Sequence, residues 1–257
     1  MGGIVVIKWG GGLITHKDQL CTVNSTVIDA LAEVCSKSSK QLIIVHGAGS
    51  FGHLKAKESR LSEGRIAGMS QDSAIGEVRS DMLKLNNHVI KSLNNYGVKT
   101  KTFPPHQWAK GTGPNFKGEL PVFDGVTVLY GDVVDDDENE FGILSGDDIM
   151  LRYATELPNV ERAVFAIGGV DGILKVPPSQ AGPDDLIELW HPEMEFIGEH
   201  ASDIDVTGGI GLKAARGAMI SEKGVDVMII NGEYPDRVLA AIEGSPVIGT
   251  RIITGNS

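Results

Sequence analysis

Apolar positions along the chain follow two alternating rhythms. Ile4–Trp9, apolar except for Lys8, and Leu42–Val45 are short continuous runs, and each predicts a strand buried on both faces. Between them, Val27, Leu31 and Val34 fall on one side of a helix over Val27–Val34. From Ser73 to Tyr96 the residues Ile75, Val78, Met82, Leu85, Val89 and Leu93 recur at spacings of three and four, which predicts a long amphipathic helix. Val98–Phe103 predicts the next strand. Val126–Val134 and Glu140–Leu144 predict a strand pair flanking an acidic tip. The second half continues with a helix beginning at Ile149–Ala154, a strand at Ala163–Ile167 and a helix at Gly211–Ser221. A strand at Val225–Ile230, a helix at Arg237–Ile242 and a closing strand at Thr250–Ile253 complete the chain.

This alternation predicts an α/β fold: an open αβα sandwich with a mostly parallel central sheet and helices on both faces. No repeat, low-complexity tract or linker interrupts it. Pro177-Pro178-Ser179 and Ala181-Gly182-Pro183 read as a surface loop. The expectation is one domain over 1–257, with two sublobes of about 1–155 and 156–257.

Composition narrows the function classes. In 257 residues, 41% are apolar and 22% charged, as in an ordinary globular protein, but 33 glycines is a high count and many adjoin apolar runs. Such glycines suit ligand-binding turns. The net charge of −11 leaves no basic field for nucleic acid. Cys21 and Cys35 make no framework and no CxxC pair, which fits a reducing compartment. The start Met1–Lys8 is too quickly charged for a signal peptide, position 6 is Val rather than a myristoylation Ser or Thr, and no run reaches membrane-spanning length. A cytoplasmic protein without membrane partners is expected. The run Asp135-Asp136-Asp137-Glu138 reads as a solvated hairpin tip rather than a metal site.

Four glycine turns carry the candidate chemistry. Lys8-Trp9-Gly10-Gly11-Gly12 closes the first strand, with Lys17 shortly beyond. A snorkelling lysine beside a plain turn is the bland account. Three consecutive glycines weaken it, because they are entropically costly unless backbone must approach something closely. The second turn is the octet His46-Gly47-Ala48-Gly49-Ser50-Phe51-Gly52-His53, an anion receptor at the mouth of a strand. The third is Leu144-Ser145-Gly146-Asp147-Asp148, whose acids either cap a helix or orient nearby lysines. The fourth runs from Asp205 through Thr207-Gly208-Gly209 to Lys213. Lys8 and Lys213 in separate turns suggest a polyanion held from two sides, the setting phosphoryl transfer needs.

Elimination sharpens this. The chain has no Gly-Lys dipeptide, so a Walker A loop is excluded, and it lacks the HRD and DFG elements of protein kinases. Gly47-x-Gly49-x-x-Gly52 matches the dinucleotide fingerprint, yet residues 54–73 are polar and mixed where that unit needs its second strand. The fingerprint match is therefore accidental. His46 at the strand end reads as structural, and His16 is open between phosphate contact and surface. His88, His106, His191 and His200 show no metal-ligand spacing. The Ile75–Leu93 stripe is core for most of its length, with one or two residues available to line a pocket.

Taken together, Lys8-x-Gly10-Gly11, His46–His53, Tyr130-Gly131-Asp132, Ser145-Gly146-Asp147, Asp205–Lys213 and Gly249-Thr250-Arg251-Ile252 resemble the amino acid kinase superfamily. Within it they are similar to the archaeal-type isopentenyl phosphate kinases. The resemblance covers nearly the whole chain and implies a homodimer using ATP and Mg²⁺ to convert isopentenyl phosphate to isopentenyl diphosphate. It implies catalytic roles for Lys8, Lys17, Asp147 and Lys213, with no protein metal ligand. It assigns the acceptor to Gly47, Ala48, Gly49, Gly52, His53, Ser145 and Gly146. The nucleotide goes to Gly10, Gly11, Gly12, Gly168, Asp171, Gly172, Gly208, Gly209 and Lys213. His53 would hydrogen-bond the acceptor phosphate. Three departures fall on the nucleotide side: Gly12 in place of the family's usual Ser, Gly169 within Gly168–Gly172 where an acid is usual, and Lys175–Pro178 without the usual lysine after proline. The rival readings are a kinase of another small phosphate or phosphonate, as in fosfomycin kinases, and a non-catalytic anion-binding protein on the same fold.

Overall fold

The computed structural model describes residues 3–16, 18–194 and 209–255. Lys17 and Gly208, with the rest of the 205–208 turn, lie outside the described residues. The element order is β1 (Ile4–Trp9), α1 (Gly11–Ile14), α2 (Ser25–Lys37), β2 (Gln41–His46), α3 (His53–Glu58), α4 (Asp72–Asn95), β3 (Thr100–Thr102), β4 (Val126–Tyr130), β5 (Asp132–Asp136) and β6 (Glu140–Leu144). There follow α5 (Gly146–Glu156), β7 (Val160–Ile167), β8 (Leu189–Trp190), α6 (Gly209–Ser221), β9 (Asp226–Asn231), α7 (Pro235–Glu243) and β10 (Thr250–Ile252).

Eight strands form one sheet in the order β3-β4-β2-β1-β7-β9-β10-β8. Pairing is parallel throughout except between β9 and β10. That exception has a local cause. Gly244 ends α7 in the left-handed conformation at φ 82°, and the short return from it brings β10 back beside β9 in the opposite sense. No helix among the described residues is long and apolar enough to cross a membrane.

The parity of β1 explains the layers. Val5, Ile7 and Trp9 pack into a core with Leu31 of α2, Leu85 and Val89 of α4, and Val238 of α7. Val6 faces the opposite core, with Ile149 and Met150 of α5 and Ala214 of α6. Lys8 shares the parity of Val6 and so points to the α5–α6 side. The chain leaves β1 for β2 on one side, and β7 flanks β1 on the other. This is a topological switch point, and the crevice at its carboxyl ends is where open α/β sheets hold ligands.

Two features depart from the sequence reading. The run Val126–Val134 is not one strand: it breaks at Gly131. β4 stays in the main sheet, while β5 turns out of it and pairs antiparallel with β6, Asp132 opposite Leu144. A Cβ at Gly131 would sit 3.3 Å from the Leu144 carbonyl oxygen, so the bend is built on glycine. The two-residue edge strand β8, held parallel to β10, has too short an apolar run to register as a strand. The segment from 54 to 73 contains α3 and a 3-10 turn at Leu61–Glu63 but no strand, which bears out the exclusion of a dinucleotide unit.

Candidate active site

The carboxyl ends of β1, β2, β4 and β7 surround a cavity of about 500 Å³. Its walls combine three of the four glycine turns with the described part of the fourth, Gly209 to Lys213.

The turns after β1 and β2 interlock. A Cβ on Gly11 would fall on the Gly49 backbone, and one on Gly47 would lie 2.5 Å from the Gly11 nitrogen. Gly49 adopts φ 51°, where its N–H and carbonyl are presented in a way other residues resist. The consecutive glycines after β1 thus have a close neighbour, the β2 turn, in addition to any ligand. Thr15 ties the pair together: its hydroxyl donates to the Gly11 carbonyl at 2.8 Å and accepts from the Ser50 N–H at 3.0 Å.

The charge centre lies where α5 begins. Ser145 caps this helix, its Oγ accepting from the Asp147 N–H at 3.1 Å. The cap directs Asp147, which is fully buried, beneath the cavity. Its Oδ1 lies 2.5 Å from Lys8 Nζ and its Oδ2 lies 3.5 Å from Lys213 Nζ. Lys213 Nζ also donates to the Gly209 carbonyl at 3.0 Å. Burial works against ionisation of Asp147, but Lys213 and then Lys8 outweigh it and hold the carboxyl below the usual carboxylate range. One anion therefore bridges two nearly buried ammonium groups and holds them a fixed distance apart. Both lysines line the cavity, so the trio of two ammonium groups and one carboxylate presents its positive charge to the interior, while Asp18 and Asp132 border the cavity elsewhere.

The neighbouring Asp148 has a different task. Its Oδ1 accepts from Arg216 Nε at 2.6 Å, which ties α5 to the helix bearing Lys213. Burial pushes the Asp148 carboxyl up, against the pull of Arg216. Nothing in the sequence singles out Arg216, because it pairs with an acid 68 residues away.

Across the cavity, the β2 turn brings Gly47, Ala48, Gly49, Gly52 and His53 to the wall, together with Ser145 and Gly146. His53 opens α3 and is half-buried. His46 is buried beneath them, with Nε2 3.4 Å from Asn86 Oδ1, Nδ1 3.1 Å from the Gly47 carbonyl oxygen and its ring 5.1 Å from Tyr130. Burial pushes its pKa down to about 4, so it is neutral and structural. His16 is exposed.

The far part of the cavity is apolar. Val78 and Met82 of α4, Leu54 and Ala56 of α3, and Val133 and Ile143 of the β5–β6 hairpin line it. Val78 and Met82 are the members of the α4 stripe that serve the pocket. The hairpin's contribution escapes sequence reasoning because a strand pair with an acidic tip reads as surface. Asp132 anchors that hairpin: one oxygen accepts from the Val133 N–H at 2.8 Å, and the other accepts from the His106 N–H at 3.1 Å and lies 2.7 Å from His106 Nδ1.

Of the residues expected to hold a nucleotide, Gly10, Gly11, Gly12, Gly168, Gly209 and Lys213 line the cavity, whereas Asp171 and Gly172 do not. Asp171 accepts from Arg237 at 2.7 Å and from Asn231 at 3.2 Å, beyond the β7 turn. Gly172 packs against Thr250.

The model of the Amino acid kinase family matches residues 3–231. An isopentenyl phosphate kinase of Thermoplasma acidophilum is 33% identical over 238 residues, covering 91% of this chain and 94% of the relative. One from Methanothermobacter thermautotrophicus is 29% identical over 265 residues, covering 97% and 98%. A solved structure of an isopentenyl phosphate kinase superposes with TM-score 0.81 at 28% identity, over 97% of this chain and 99% of the other. A more distant likeness, the N-acetylglutamate synthase of Neisseria gonorrhoeae at TM-score 0.62 and 16% identity, shares the fold. With the family model spanning most of its length and a relative of this identity along nearly all of both chains, the protein belongs to the amino acid kinase family, among the isopentenyl phosphate kinases.

Proposed function

We propose that this chain transfers the γ-phosphoryl group of ATP to the phosphate of isopentenyl phosphate, giving isopentenyl diphosphate and ADP. The observation that carries the reading is one cavity with two characters: lysines and glycine turns at one end, and an apolar wall of Val78, Met82, Val133 and Ile143 at the other. A phosphate monoester with a short hydrocarbon tail matches both.

The chemistry follows from the charges. A monoester oxygen is anionic near neutral pH and attacks without a general base. The barrier lies in bringing two anions together, and cations with fixed N–H donors lower it. Lys8 meets the phosphoryl group in transit, and Lys213 stabilises charge on the ATP side. Asp147 holds the two ammonium groups apart and in place, so little reorganisation is needed as charge moves. Lys17 adds a phosphate contact in this reading. His53 hydrogen-bonds the acceptor phosphate, and the N–H groups of the β1 and β2 turns complete the cradle. The β7 turn and Gly209 lie beside the nucleotide. Asp171 and Gly172 support that region from outside the cavity.

Mg²⁺ belongs to the reading as the companion of the ATP phosphates. Among the described residues no three His, Cys, Asp or Glu side chains converge, and both oxygens of Asp147 face lysines, so the donor set does not fit a protein-held ion. A homodimer and a cytosolic setting complete the proposal, the latter supported by two free thiols.

The apolar wall beyond the β2 turn favours a prenyl tail over a polar acceptor such as fosfomycin. The test is ADP release measured with isopentenyl phosphate, dimethylallyl phosphate, fosfomycin, UMP and acetylglutamate. Turnover is expected with the first two. Its absence with both overturns the reading.

A further inference from the structure

Helix α3 carries His53 at its first position and Lys55 two residues later, and it is only six residues long. A helix of that length does not hold itself together, so the place of the His53 ring depends on what α3 leans against. That support is α4. Ala56 is buried in a cluster with Val78 and Met82, and a Cβ on Gly52 would come 3.3 Å from Met82 Sδ.

The same contact contains a carboxylate. Asp81 sits on the inward stripe of α4, between Val78 and Met82, and is 5% exposed. An acid on a buried helical face is unfavourable unless cations meet it. Two do. Lys55 Nζ donates to Asp81 Oδ2 at 2.7 Å, and Lys84 Nζ donates to Oδ1 at 2.8 Å. Lys55 also reaches Glu77, one turn back on α4, at 3.1 Å. Lys84 lies on α4 itself, so its bond joins no two elements. The Lys55 bond is different: it spans 26 residues and fastens α3 to α4 within one turn of His53.

We propose that the Asp81–Lys55 pair is a clamp that fixes α3 against α4 and so places the His53 ring at the acceptor phosphate. Asp81 is a positioning residue acting through His53. The inference rests on the reading that His53 faces the acceptor. Lys55 is partly exposed, so the pair contributes little to global stability. Its effect belongs to the geometry of a short element at the site.

The test is a double-mutant cycle on the full chain, with acceptor and ATP varied separately. The acceptor is whichever phosphate or phosphonate the wild type turns over. Failure with isopentenyl phosphate therefore overturns the functional reading while leaving this experiment intact. Asp81→Asn is expected to raise the acceptor KM about tenfold and to leave the ATP KM within roughly twofold. In a His53→Ala background the same substitution is expected to change the acceptor KM by less than about twofold, since its route to the substrate is gone. Asp81→Glu should recover most of the loss, and Lys84→Met should leave both KM values unchanged. If Asp81→Asn fails to fold, Lys55→Met breaks the same pair from its exposed side and enters the same cycle. The histidine ring NMR signal of His53 should shift in Lys55→Met and stay in place in Lys84→Met, a readout that needs no turnover. An undiminished effect in the His53→Ala background overturns the clamp. So does an equal rise in both KM values, or a His53 signal indifferent to Lys55→Met.

Discussion

At the scale of single residues, Asp147 decides whether Lys8 and Lys213 form a site or repel one another. Replacing it with Asn leaves two nearly buried cations facing a neutral amide. Breaking a buried pair in this way costs about 3–5 kcal/mol. Asp147→Asn is therefore expected to lower the urea midpoint and to cut kcat more than either KM, since the lysines lose their fixed spacing where charge moves. A kcat within roughly twofold of wild type would remove Asp147 from the mechanism. His46 gives a second residue-level prediction, on pH. Its folded pKa of about 4 lies below the ordinary 6.5, so the unfolded chain binds the extra proton between these values. A depressed folded pKa makes stability complete above pH 6.5 and erodes it as pH falls towards 4, by about 3 kcal/mol from this group. Urea midpoints followed from pH 7 to pH 4 should show that slope, and His46→Gln should flatten it.

At the scale of elements, the glycine turns show how one feature serves packing and chemistry together. The β1 and β2 turns touch backbone to backbone, and Gly47→Ala would place a methyl 2.5 Å from the Gly11 nitrogen. Overpacking of this kind costs about 1–3 kcal/mol and here pushes apart two walls of one cavity. Gly47→Ala is expected to fold less stably and to raise KM for both substrates together, in contrast to changes on α3 or α4. Met82 separates the other end. Met82→Ala enlarges the apolar part of the cavity and should shift kcat/KM towards longer prenyl phosphates, measured as the ratio of geranyl phosphate to isopentenyl phosphate. An unchanged ratio would place the tail elsewhere. The sequence makes the turns legible because three glycines after a buried strand have few other uses. It makes Lys8 legible because a lysine closing a buried strand beside those glycines has few structural uses, although only the structure shows which face it takes. It cannot separate Val78 and Met82 from the rest of the α4 stripe, since a pocket wall and a core face obey the same period. Nor does it show Asp81–Lys55 or Asp148–Arg216, which join residues far apart in the chain through side chains common on any surface.

At the scale of the whole molecule, the order of strands and helices was readable because parallel strands buried on both faces appear as unbroken apolar runs. The break at Gly131 was not, because the apolar stretches of β4 and β5 lie close enough on either side of Gly131-Asp132 to read as one strand, and only the route of the chain parts them. The overall charge was readable as well, and it has a kinetic consequence. The chain carries −11, yet both proposed substrates are anions bound beside Lys8 and Lys213. A domain of this length has a radius of about 20 Å. At ~0.01 M salt the Debye length is about 30 Å, so an approaching dianion meets the field of the entire molecule before it meets the lysines. At ~0.15 M the length is about 8 Å, and the distant acids are screened more than the cations lining the cavity. Coulomb's law in water gives a difference of about 1 kcal/mol at the surface for a dianion, or several-fold in association rate. kcat/KM for the acceptor is therefore expected to rise several-fold between these salt concentrations, the reverse of what a basic phosphate-binding protein does. A steady fall over the same range would mean that the cavity's own field reaches beyond the acidic surface and governs approach from a distance.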